Sequence, residues 1–121
     1  MLDRAGIAHV GAGDGFEAAA RPAVLERGGV RVGVIGFTDN EPGWAAARAT
    51  PGTRVLRVGA SDAVASVASL AATVDLTVVT LHWGGNYDLF PPRSHVAFAH
   101  ALVDAGADVV HGHSAHAFQG I

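Results

Sequence analysis

Apolar positions along the chain recur with two different periods, and each change of period marks an element. In SDAVASVASLAATVD, residues Val64, Val67, Leu70, Ala71 and Val74 return every three or four positions, which places them on one helical face. Ser61 stands where an N-cap is expected, and Asp62 falls in the first turn, where a carboxylate favours the positive end of the helix. DLTVVTLHWG follows with a continuous apolar run from Leu76 to Leu81, the pattern of a strand buried on both faces. PPRSHVAFAHALVDAGAD opens on prolines and carries Val96, Ala99, Leu102 and Val103 at helical spacing. It ends at Gly106, which suits the left-handed residue just past a helix. DVVHGH is the next strand.

Upstream, VRVGVIGFTDN (Val30 to Asn40) is rich in β-branched residues and predicts a buried strand, with PAVLERGG as its hairpin partner across Gly28 and Gly29. NEPGWAAARATPGT reads as a loop holding one short helical turn. LDRAGIAHVGAG opens with what reads as the last turn of a helix, closed by Gly6. The order strand, helix, strand predicts an α/β fold with βαβ units, right-handed crossovers and parallel strands. Parallel neighbours bring their C-terminal ends to one edge, where open α/β sheets hold their ligands.

Composition narrows the partners. With 121 residues, half of them hydrophobic and 16% charged, the chain can bury one core. A net charge of −3, with eight Arg dispersed and no Lys, leaves no basic stripe and argues against nucleic acid as a partner. The absence of cysteine removes disulfides, thiolate catalysis and Cys-based metal sites from consideration. No segment has the pattern of a signal peptide or a membrane span, so localisation is open.

The candidate chemistry lies in the histidines. His82 leaves one strand and His113 the next, both at C-terminal ends, so two imidazoles reach one rim. His116 follows in a small Ser-Ala loop and can curl toward the same point. Three neutral imidazoles suit a divalent cation, and zinc, manganese and iron all accept them. His111 alternates with His113 and either faces the same side or packs inside. Asp39, in TDN after a strand, either reaches the site or makes an Asx-type turn. His9 is set aside, as are His95 and His100, which five residues apart on a helix point about 140° away from each other. GAGDGF starts like a dinucleotide fingerprint, but Phe16 occupies the place of its third glycine.

Taken in order, AGIAHVGAG, GVRVGVIGFTDNEPGWAA, HWGGNY and FAHALVDAGADVVHGHSAHAFQGI resemble the CapA family of capsule and poly-γ-glutamate synthesis proteins. Their domain is similar to calcineurin-like metallophosphoesterases, so the resemblance implies a partial α/β sandwich of that type, with mostly parallel buried strands. It implies that His82, His113 and His116 are metal-site residues, with Trp83, Asn86, His111, Ser114 and Asp39 around the metal or against substrate. Asn86 matches the family variant that has Asn in place of Glu. Two divalent ions (Mn, Fe or Zn) are implied for an intact domain, whose Gly-Asp, Asn-Leu-Glu and Asn-Asn-His motifs are not in this sequence.

Residues 1–121 are therefore expected to be an internal or C-terminal part of one such domain, with little or no activity alone. The implied partners are an acidic polymer, or a small phosphoester or amide substrate, together with capsule-synthesis machinery. Relatives of this kind are often membrane-associated or exported. A noncatalytic polymer-binding module, with Arg93 contacting a carboxylate, and an inactive truncated product are the alternatives.

Overall fold

In the computed structural model, which describes residues 2–119, a four-stranded sheet forms the centre of the chain. Its strands are β2 (Ala23–Arg27), β3 (Val30–Thr38), β5 (Leu76–His82) and β6 (Val109–His113), in the order β2-β3-β5-β6. β2 and β3 form the expected antiparallel hairpin, with Arg27 opposite Val30. Gly28 and Gly29 both have positive φ, 61° and 81°, which a two-residue turn matched to strand twist requires. β3, β5 and β6 are parallel, joined through α2 (Ser61–Ala71) and α3 (Arg93–Asp104). The fold is thus the mixed α/β architecture the sequence predicts, a partial sandwich with a mostly parallel sheet.

Side chains alternate strictly across this sheet. Ile35, Phe37, Val79 and Leu81 are buried with Val67, Leu70, Phe98 and Leu102 of the helices. The intervening positions, Gly36 and Thr38 on β3, Thr80 and His82 on β5, and His111 and His113 on β6, share the opposite face, because they are mutual register partners. The expectation that β5 is buried on both faces is therefore corrected. Thr77, Val79 and Leu81 are buried, whereas Val78 and Thr80 are half-buried and Leu76 is 44% exposed. The apolar run concealed a period of two, because Val78 occupies the open face and gives no polar signal there.

The helices depart from expectation in detail. Ala60, not Ser61, is the N-cap of α2, and no side chain caps it; Ser61 is already helical. On α3 the buried residues are Phe98 and Leu102, while Val96 is 40% and Val103 53% exposed. The aromatic Phe98 sets the buried stripe, and the β-branched residues beside it fall outside. Gly106 does close α3: its N–H donates to the Val103 carbonyl and the Ala107 N–H to that of Leu102, the double bond of a Schellman motif.

Smaller pieces cover part of the open face. A 3₁₀ turn at Asp3–Ala5 ends at Gly6, as expected. β1 (Ala12–Gly13) pairs antiparallel with β4 (Gly52–Thr53), α1 (Phe16–Ala20) packs against both, and the expected helical turn in the long loop is Pro42–Trp44. GAGDGF thus supplies β1 and the start of α1, and among the described residues no long strand precedes it of the kind a dinucleotide loop follows. Arg54 locks this layer to the core. Only 8% exposed, its guanidinium donates to the Ala20 carbonyl at 2.8 Å and to Ser66 Oγ at 2.7 Å, and stacks on Phe37 at 4.6 Å. Among the described residues no helix is long and apolar enough to cross a membrane.

Candidate functional site: a histidine pair at the sheet edge

The parallel register makes His82 and His113 direct partners on adjacent strands. Their Nδ1 atoms face each other at 3.1 Å, with ring centroids 5.0 Å apart. His111 faces the same side, its ring centroid 5.4 Å from that of His113 and its Nδ1 3.3 Å from Thr80 Oγ1. Two polar rungs, Thr80 with His111 and His82 with His113, thus lie next to each other at the C-terminal edge. The alternative that His111 packs inside is excluded.

Burial and the neighbouring His82 and His111 rings hold the His113 imidazole below its ordinary pKa. The sign of the linkage follows. The unfolded chain takes up a proton near pH 6.5 and the folded chain only at lower pH, so stability from this group is full above about pH 6.5. It declines as pH falls below that value. Imidazole proton resonances are expected to show His113 titrating below the usual range and moving back up in His82→Ala; an unmoved midpoint would show that the ring contact has no electrostatic effect.

Two loops frame the pair. The HWGGNY loop after β5 is tied to the loop after β6 by the Trp83 N–H to the His113 carbonyl at 3.1 Å. A second tie, from the Tyr87 N–H to the Ala115 carbonyl, measures 2.7 Å. Gln119 adds a side-chain bond to the Asp88 carbonyl at 3.1 Å. Asn40 Nδ2 donates to Ser114 Oγ at 3.2 Å, joining the end of β3 to the same loop. His116, at a left-handed φ of 54°, places its ring 5.7 Å from that of Tyr87. Asn86 and Arg93 are exposed.

Asp39 reaches the HWGGNY loop. Its carboxylate oxygens accept from the Gly84 N–H at 3.3 and 3.2 Å, and its own N–H donates to the His82 carbonyl at 3.2 Å. The local turn at this point is made by Thr38 Oγ1, which accepts from the Asn40 N–H. His95, which sequence reasoning sets aside, belongs to the same cluster. Its Nε2 lies 3.5 Å from Asp39 Oδ2, is buried and has no hydrogen-bond partner among the described residues, and its ring packs at 4.7 Å on that of Trp83. Helical spacing relative to His100 could not reveal this, because the partner carboxylate comes from β3. His9 sits apart, 3.6 Å from Asp3.

Geometry decides how far this arrangement suits the divalent ion that the resemblance implies. Two nitrogens bound to one ion at about 2.0 to 2.1 Å with a cis or tetrahedral angle lie about 2.8 to 3.4 Å apart. The 3.1 Å separation of His82 and His113 fits two such positions. Among the described residues, no group of three or more His, Asp or Glu side chains could hold an ion. The pair alone supplies two nitrogens at that spacing.

Sequence comparison places this edge in a family context. The chain belongs to the family described as "Bacterial capsule synthesis protein PGA_cap", whose model matches residues 1–121. It is 39% identical over 125 residues to a probable polyglutamine synthesis accessory protein of Mycobacterium tuberculosis, covering 95% of this chain and 33% of that protein. It is 37% identical over 117 residues to the capsule biosynthesis protein CapA of Bacillus anthracis, with 92% and 28% coverage. The PGA biosynthesis protein CapA of Bacillus subtilis is 34% identical over 114 residues, with 93% and 30% coverage. The chain spans about a third of the length of these relatives.

Proposed function

We propose that this chain carries the two-histidine part of a divalent-metal site of hydrolase type, in a protein of capsule or poly-glutamate synthesis. The relatives' names support the biological role, and the observation that carries the chemistry is the facing pair of Nδ1 atoms on adjacent parallel strands. A divalent ion bound there would lower the pKa of a coordinated water and offset charge developing on a displaced oxygen. The chain's own residues prepare the place. Burial and the neighbouring imidazoles favour the neutral form of His113, the form able to ligate. Asp39 holds the turn that follows His82 through Gly84, and so fixes the direction from which that ring approaches. His116, on the loop after β6, is proposed as a further ligand, with Asn86 near the metal or against substrate.

A noncatalytic polymer-binding module is the second reading, favoured by the lack of a third donor grouped with the pair among the described residues. Calorimetric titration of Mn²⁺ or Zn²⁺ into the chain separates the two. Weak binding of one ion is expected, reduced at least about tenfold in His82→Ala and in His113→Ala. Equal heats from all three proteins would refute the metal site.

A further inference from the structure

In the metal-free chain, the cavity beside the histidine pair has no lining Arg or Lys to receive an anion. It encloses about 340 Å³ between the end of β3, the Val10–Ala12 segment and the Asn40–Trp44 loop, with His82 and His113 in its wall. That volume is at the low end for small-molecule sites and holds one amino-acid-sized group. No Arg lines it, and the chain has no Lys. Arg54 is engaged instead with Ala20 and Ser66. The lining includes the carboxylate of Glu41 and, beside the buried Phe37, the indole of Trp44, which is 66% exposed.

Glu41 has two features that packing alone does not explain. Its φ is 49°, a left-handed conformation that disfavours side chains with a Cβ, and although it is the N-cap of the Pro42–Trp44 turn, its carboxylate makes no capping bond. A carboxylate that makes no capping bond, three residues from an exposed indole and lining the same cavity, supplies both elements of cation recognition: a formal negative charge and an aromatic face. In the metal-free chain, a carboxylate or phosphate entering the same cavity would meet Glu41 with no lining Arg or Lys to offset it.

We infer that this cavity binds an ammonium-bearing group of the substrate, such as the free amino end of an amide-linked chain, with Glu41 and Trp44 as its recognition residues. Its relevance to chemistry rests on the proposed function, because His82 and His113 line the same cavity. Binding itself requires no metal. An acidic polymer would accordingly enter by its amino end and leave its carboxylates outside.

Glycinamide and N-acetylglycine, similar in size and opposite in charge at pH 7, test this on the ¹⁵N-labelled chain without added metal. The Trp44 indole N–H resonance, assigned with Trp44→Phe, is expected to shift saturably with glycinamide at a Kd on the order of 1 mM, and not with N-acetylglycine. Glu41→Gln, at an exposed position, is expected to weaken glycinamide binding about fivefold or more. No saturable shift with glycinamide, an equal response to N-acetylglycine, or unchanged affinity in Glu41→Gln would each overturn the inference. Because metal is absent here and the ammonium compound is absent from the calorimetric titration, either idea can fail while the other stands.

Discussion

Leu81→Ala is expected to lower the stability of the chain by about 3 kcal/mol. The side chain has no exposed surface and belongs to the buried cluster that includes Ile35, Phe37, Val79, Phe98 and Leu102. Truncation loses its transfer free energy and leaves a void between sheet and helices. The parallel strands on either side are pinned by their ladders and can close such a void only in part, and substitutions of this type cost about 2 to 5 kcal/mol. Domains commonly have about 5 to 15 kcal/mol in total, so the unfolded fraction should rise by about two orders of magnitude. Urea unfolding should show a lower midpoint at unchanged slope. A loss below about 1 kcal/mol would show that the packing around Leu81 is loose.

Gly112→Val should cost about 1 to 3 kcal/mol and disturb the candidate site as well. A Cβ at this position would lie 2.6 Å from Trp83 Nε1, so the indole rests directly on the β6 backbone. The ring cannot easily yield, because His95 packs at 4.7 Å and Phe98 at 6.2 Å. Displacing Trp83 strains the turn that joins His82 to Gly84, and through Gly84 the carboxylate of Asp39. The expected readouts are a red shift of Trp83 emission in a Trp44→Phe background and weaker ion binding than in the parent. Unchanged emission and an unchanged urea midpoint would mean that the strand accommodates the side chain.

The parts of the structure legible in the sequence are those specified by local chemistry. Paired glycines at 28 and 29 predict the hairpin, helical spacing predicts α2 and α3, and the order of elements predicts that His82 and His113 reach one edge. Less local features escaped. Whether β5 is buried on one face or two depends on what covers the sheet, and Val78 on the open face carries no sign of it. The Asp39 and His95 cluster joins the end of β3 to α3, with partners 56 positions apart in sequence, which no spacing rule connects. The two-residue strands β1 and β4 are too short to have a period and exist through each other and α1. His82 and His113 were identifiable because strand ends are predictable, whereas the position of His116 depends on a loop whose backbone turns left-handed at Ser114 and at His116.

The parallel pairing of β3 with β5 also has a kinetic consequence. Thr38 and His82 are register partners separated by 44 positions, so the chain must close a long loop before this ladder repays the entropy lost. The β2–β3 hairpin and the two helices involve only near neighbours and can form beforehand. His82 and His113 are themselves 31 positions apart on β5 and β6, so the two imidazoles should meet only after a second long loop has closed, late in refolding.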